Sequence, residues 1–190
     1  PVLIDVRSLE EYAAGHPEDA YNVPFPKVHV DGASDQDPAV LYWEVYDIVK
    51  GRMDTPIMLL CRTGSRSVDA GNILANPDSK VQTMGLEPFT NVFNIWEGFV
   101  GNLKYAYVSS TGSIFLDENG NPVPLDLDND GEVSHTADYA DVYEEVTDAN
   151  SDKDGWRNFQ GLPWTTKIRR PQAYMRDPRI YDDLLLTPVE

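Results

Sequence analysis

Leu59-Leu60-Cys61-Arg62-Thr63-Gly64-Ser65-Arg66-Ser67-Val68-Asp69-Ala70-Gly71-Asn72-Ile73-Leu74 is where the chain changes periodicity, and that change decides the fold. The apolar run Ile57-Met58-Leu59-Leu60 reads as a buried strand and stops at Cys61, the only cysteine in 190 residues. A short loop follows, in which Arg62 and Arg66 flank Thr63, Gly64 and Ser65. Helical spacing then runs from Ser67 to residue 75, with Val68, Ala70, Ile73 and Leu74 as the expected buried face. A strand, a tight turn and a helix N-terminus in that order hold anions. The turn's N–H groups and the positive end of the helix dipole converge on one point. Cys61 placed there is expected to act as a thiolate nucleophile. The amides from Thr63 to Ser67 would face its sulfur, and Arg62 and Arg66 would hold an anionic substrate.

Upstream, residues 2–6 form another apolar run, closed by Asp5 and Arg7. Open α/β sheets keep their binding crevice at the carboxyl ends of strands, so Asp5 and Arg7 are expected to support the loop as a pair. Ser8 and Glu11 have the spacing of a capping box, and Gly15 ends the short helix it would start. His16 is read as fixing the next turn, since a thiolate needs no general base. Residues 23–36 read as loop, and Asp37-Pro38 starts a second helix whose apolar side carries Val40, Leu41, Tyr46, Ile48 and Val49.

The chain resembles the single-domain rhodaneses, which carry sulfur as a cysteine persulfide. Cys61-Arg62-Thr63-Gly64-Ser65-Arg66-Ser67 is similar to their active-site loop, and Asp5-Val6-Arg7, Glu11-Tyr12 and Gly15-His16 to their opening motif. Asn91-Val92-Phe93-Asn94-Ile95 and Glu97-Gly98-Phe99 resemble their last strand and turn. Gly155-Trp156-Arg157 and Gly161-Leu162-Pro163-Trp164 resemble the ending of a bacterial, often exported, subgroup. The resemblance implies a doubly wound α/β fold, a mainly parallel sheet with helices on both faces. It also implies a small anionic sulfur donor and a thiol acceptor, with Cys61 carrying the sulfur between them. Rhodaneses have a helical segment before the first strand, so the natural N-terminus is expected to lie upstream of Pro1. The same fold hosts dual-specificity phosphatases, whose loop places five residues between cysteine and arginine. Here four residues separate Cys61 from Arg66, a ring better suited to one sulfur atom than to a phosphate. Two other readings stay open. Arg66 could form a salt bridge with a core carboxylate, and the whole core could be a non-catalytic scaffold for assembly.

Composition narrows the classes. A net charge of −17 argues against nucleic acid and anionic membrane surfaces as partners. No apolar run has the length of a bilayer span. One cysteine excludes an internal disulfide and leaves the redox compartment open.

The sequence divides into a core at 1–100, an acidic insertion at 101–155, a return to the core at 156–170 and an extended tail at 171–190. The insertion holds 13 Asp and Glu against two Lys. Residues 104–108 and 113–116 read as a β-hairpin, with a further turn at Glu118-Asn119-Gly120-Asn121. Asp126, Asp128, Asp130, Gly131 and the Glu132 carbonyl follow the first half of an EF-hand loop. Asn150, Asp152, Asp154 and Gly155 repeat it, with Asp148 just before. These half-loops resemble dockerin-type calcium modules, which implies bound Ca2+ and a periplasmic or extracellular location. Position 12, where a bidentate carboxylate is expected, is Ala137 in the first loop, with Asp138 one place late, and Gly161 in the second. An acidic, solvated insertion without metal is the alternative. The tail is expected to run along the surface or across a neighbouring copy in a homo-oligomer, with Arg169, Arg170, Arg176 and Arg179 facing the acidic insertion.

Overall fold

A computed structural model describes residues 1–31, 36–77, 85–101, 107–108, 113–114, 118–120 and 155–174. Four parallel strands form the central sheet: β1 (Val2–Asp5), β3 (Tyr21–Asn22), β4 (Ile57–Leu60) and β5 (Val92–Asn94), in the order β3-β1-β4-β5. Residues Val2 to Asp5 of β1 lie opposite Ile57 to Leu60 of β4, so Asp5 and Leu60 end side by side at the carboxyl edge. Period-2 alternation then separates two faces. Ile4, Val6, Ile57, Leu59 and Cys61 point into the main core, where they meet Leu41, Tyr42, Val45, Ala70, Ile73 and Leu74. Leu60, on the other face, packs with Phe99 and Val100. Each aliphatic side chain fully buried in this way contributes about 1.5–3 kcal/mol.

Three helices flank the sheet. α1 (Leu9–Ala13) begins with the expected capping box: Ser8 Oγ accepts the Glu11 amide, and Glu11 accepts the Ser8 amide. α2 (Pro38–Ile48) has Asp37 as N-cap and proline in its first turn. α3 (Ser65–Ala75) starts two residues earlier than its periodicity predicts, directly after Gly64. Its buried residues are Ser67, Ala70, Ile73 and Leu74, and Val68 is 39% exposed. The apolar stripe is therefore rotated by one residue from the expected one. Ser67 takes the inward place because it faces the Cys61 sulfur, a tertiary demand that overrides its polarity.

Outside the sheet, β2 (His16–Pro17) pairs antiparallel with β8 (Trp164–Thr165), which ties the late segment back to the core. His16 is buried, stacks on Tyr12 and bonds the Tyr12 carbonyl through Nδ1, the structural role expected of it. β6 (Tyr107–Val108) and β7 (Ser113–Ile114) form the expected hairpin. The start of the tail departs from expectation. Residues 170–172 form a 3-10 turn, and Tyr174 is buried beside Leu9 and Val28, its hydroxyl accepting from Gln36. Arg169 pairs with Asp19 of the core. An aromatic side chain with a hydroxyl partner in reach gains more from this pocket than from solvent. Arg176 and Arg179 lie outside the described residues. Among the described residues, no helix is long and apolar enough to cross a membrane.

Candidate active site

Cys61 leaves the end of β4, and the chain folds back over its sulfur through Gly64, whose φ of +92° favours glycine. That turn aims the Gly64 N–H at Cys61 Sγ, 3.1 Å away. Ser67 Oγ lies 3.4 Å from the sulfur and 3.1 Å from the Gly64 carbonyl, so its single proton serves one acceptor at a time. Asn94 Nδ2 donates to the same carbonyl at 3.3 Å. The sulfur thus receives an amide and a hydroxyl at the N-terminus of α3, the donor set expected of an anion holder. Thr63 is half-buried in the loop and Ser65 exposed at the first turn of the helix.

Two further layers of backbone hold the loop from outside. The Phe99 amide donates to the Cys61 carbonyl at 2.8 Å and the Val100 amide to the Arg62 carbonyl at 3.0 Å. Gly98 makes this approach possible: a Cβ there would lie 2.4 Å from the Arg62 oxygen, at φ +72°. The turn at 98–100 is in turn covered by Gly155–Phe159, where the amides of Trp156 and Arg157 donate to the carbonyls of Gly98 and Phe99. Gly155, read from the sequence as position 6 of a calcium loop, has φ +82° and lies against the Val100 backbone. The Trp156 carbonyl accepts the Leu162 amide at 3.0 Å.

These layers form a cleft of about 180 Å³ beside the loop, lined by Arg7, Glu11, Gly15, Arg62, Phe99 and Arg157 among others. Cys61 itself is fully buried and does not line the cleft. The turn draws Gly64 and Ser67 directly onto the sulfur and so covers it.

The two loop arginines have different surroundings. Arg66 reaches across to α1 and forms a two-pronged pair with Glu11, at 2.6 and 2.8 Å. Burial opposes both charges, yet the pairing outweighs it: the Glu11 carboxyl is held below, and the Arg66 guanidinium above, its ordinary value. Arg66 therefore realises the salt-bridge alternative, although the partner belongs to a helix and not to the sheet. Arg62 lines the cleft. Asp5 and Arg7 form a buried pair, with Arg7 Nη2 2.6 Å from Asp5 and 2.7 Å from the Gly15 carbonyl. Their direct hold is on the turn after α1, and Arg7 Cζ also lies 4.0 Å from the centre of the Phe99 ring.

Glu11, Asn94 and Arg157 were not among the expected site residues. Arg157 was legible only as part of the Gly-Trp-Arg motif, because nothing in its spacing relates it to Cys61. Asp126, Asp128, Asp130, Glu132, Asp138, Asp148, Asn150, Asp152 and Asp154 lie outside the described residues. Among the described residues, no group of three or more His, Cys, Asp or Glu is placed to hold a metal ion.

A four-stranded parallel sheet with a cysteine-initiated anion loop at its carboxyl edge defines the class. The chain matches the Rhodanese-like domain over residues 1–103, and it belongs to that family. No curated protein matches it. Among solved structures, it is similar to Rv0390 from M. tuberculosis, at 21% identity over 87% of this chain and 84% of that one, with a TM-score of 0.41.

Proposed function

We propose that this protein is a sulfurtransferase in which Cys61 carries a sulfane sulfur. The observation that carries the proposal is the Cys61 sulfur itself, set at the N-terminus of α3 with the Gly64 amide and Ser67 hydroxyl beside it. The Cys61 thiolate attacks the outer sulfur of thiosulfate, a polysulfide or a persulfide. The donor's S–S bond breaks, its remainder leaves with the electron pair, and Cys61 becomes a persulfide. A thiol or cyanide then removes the outer sulfur, so the kinetics are ping-pong. Amides of the 63–67 loop stabilise the persulfide anion in the manner of an oxyanion hole. Of the two loop arginines, Arg62 lines the cleft beside the loop and is the one assigned to hold the donor.

Intact mass after incubation with thiosulfate or polysulfide tests this. The expected result is a gain of one sulfur atom, removed by cyanide and absent in Cys61→Ser. Full burial of Cys61 favours a second reading, a non-catalytic scaffold, and an unchanged mass with both donors would establish it. From the sequence pattern alone we also propose that the acidic segment binds calcium and that the protein works outside the cytoplasm.

A further inference from the structure

Asn94 is the last residue of β5 and stands in register with Leu59 of β4. Val92 and Asn94 alternate onto the α3 side of the sheet, where both line a groove with Ser67, Gly71 and Asn72. From there Asn94 Nδ2 donates to the Gly64 carbonyl at 3.3 Å. The same carbonyl stands 3.1 Å from Ser67 Oγ, which is also 3.4 Å from the Cys61 sulfur. Hydroxyl-to-oxygen bonds run about 2.5–3.0 Å, so the Ser67 contact with the carbonyl is a long one. A carbonyl offers two lone pairs, and that of an N-cap residue gives one to the first amide of its helix. Gly64 is the N-cap of α3. Asn94 therefore takes the remaining place and leaves the Ser67 proton to the sulfur. Its amide holds this orientation at a cost, because Oδ1 is buried and has no hydrogen-bond partner among the described residues. Turned over, the amide would set that oxygen against the Gly64 oxygen. For packing alone an apolar side chain would serve better, since an unmet buried acceptor destabilises.

We propose that Asn94 is a positioning residue for the sulfur: by occupying the Gly64 carbonyl it directs the Ser67 hydroxyl onto Cys61 and so stabilises the anionic sulfur. The inference deepens the sulfurtransferase reading and rests on it for its use, since the sulfur there is an anion both before attack and as the loaded persulfide. Two charge states set the effect. With Cys61 as a neutral thiol, the Ser67 proton serves either acceptor at little difference in energy. With an anionic sulfur, the hydroxyl makes a charge-assisted bond, which is roughly twice as strong as a neutral one. An open place on the Gly64 carbonyl then competes for the proton that the anion needs. Removing the Asn94 donor therefore penalises the anion and leaves the thiol nearly untouched, a selectivity that a packing role would not produce.

Cys61 is the only cysteine, so the ultraviolet thiolate absorbance, taken as the difference from Cys61→Ser, reads its ionisation without any sulfur donor. Asn94→Leu keeps the volume and removes the donor, Asn94→Ala is the second variant, and melting curves establish that each is folded. Both should move the absorbance step to higher pH by about half to one unit, the size of one neutral hydrogen bond. In a Ser67→Ala background the same substitutions should move it by under about 0.3 unit, because the hydroxyl through which Asn94 acts is gone. Arg66 on α3, whose guanidinium feels the Cys61 charge, its partner Glu11 on α1 and the Asp5–Arg7 pair at the end of β1 are the same in every variant. The pH at which thiosulfate begins to load Cys61 should shift with the absorbance. An unmoved step in a folded variant, or equal shifts with and without the Ser67 hydroxyl, would overturn the role of Asn94 and leave sulfur transfer standing. A wild type that takes no sulfur from thiosulfate or polysulfide would remove the sulfurtransferase reading, and the absorbance step would still decide for or against Asn94.

Discussion

The two flanks of the Cys61 loop are built from the same kind of residue and have opposite characters. On the α1 flank, Arg66 is neutralised by Glu11, and Ser8 and Glu11 cap the helix that presents the carboxylate. On the other flank, Arg62 and Arg157 line a cleft, carried on three stacked layers of backbone at 61–62, 98–100 and 155–157. An arginine in the cysteine loop is therefore not by itself a substrate ligand. What separates the two is their surroundings: Glu11 grips Arg66 with both oxygens, while Arg62 and Arg157 stand in the wall of a cleft. The closed flank fixes the loop, and the cationic flank leaves room for a small anion.

The largest effect should come from breaking the layered flank at its tightest point. Gly98→Ala puts a Cβ against the Arg62 carbonyl at a positive φ, so strain and overpacking together should cost about 3 kcal/mol or more. Urea unfolding should show that loss, and sulfur loading of Cys61 should fall with it. A variant with wild-type stability would mean that the three layers slide freely and that the cleft is not a fixed feature.

On the closed flank, Glu11→Gln keeps the shape and the cap acceptor but removes the charge. Since Arg66 and Glu11 are partly exposed, the expected cost at pH 7 is about 1–2 kcal/mol. The sign with pH follows from the direction of the shift. Burial raises the Glu11 pKa, and the hydrogen bonds and charge of Arg66 more than reverse this, leaving it below the ordinary 4.5. The stabilisation is present above 4.5 and is lost as pH falls through the lower folded value. Unfolding curves of wild type and variant should therefore converge in acid. A gap that stays constant from pH 7 to pH 3 would assign the effect to packing instead.

The smallest effect concerns the segment that precedes Arg157. Two half-loops lacking the position-12 carboxylate should bind calcium only at about 10⁻⁴–10⁻³ M. At 1 mM calcium, mass action then adds roughly 0.4–1.4 kcal/mol per site, or a few degrees in Tm. Melting in calcium and in chelator should differ by that amount, and coincident curves would remove the calcium proposal and the extracellular location with it. A calcium-dependent KM for thiosulfate would sharpen the comparison further, by linking the segment to the cleft it delivers Arg157 to.

Local sequence determined the parts of this protein that depend on neighbours in the chain. The run 57–60, the lone Cys61 and the glycine three residues later specify a strand, a thiol and a tight turn, because apolar periodicity and positive φ are local properties. The Ser8–Glu11 box and the Asp37-Pro38 start were legible for the same reason. Tertiary structure decided the rest. It turned α3 by one residue so that Ser67 faces the sulfur, gave Arg66 to Glu11, and brought Arg157 to a cleft 96 positions from the cysteine. Charged side chains are long and nearly indifferent to backbone periodicity, so the sequence pattern does not say which partner each will meet. That choice is made when β4, the 98–100 turn and the 155–157 segment stack, and the geometry of the stack decides which guanidinium closes the loop and which lines the cleft.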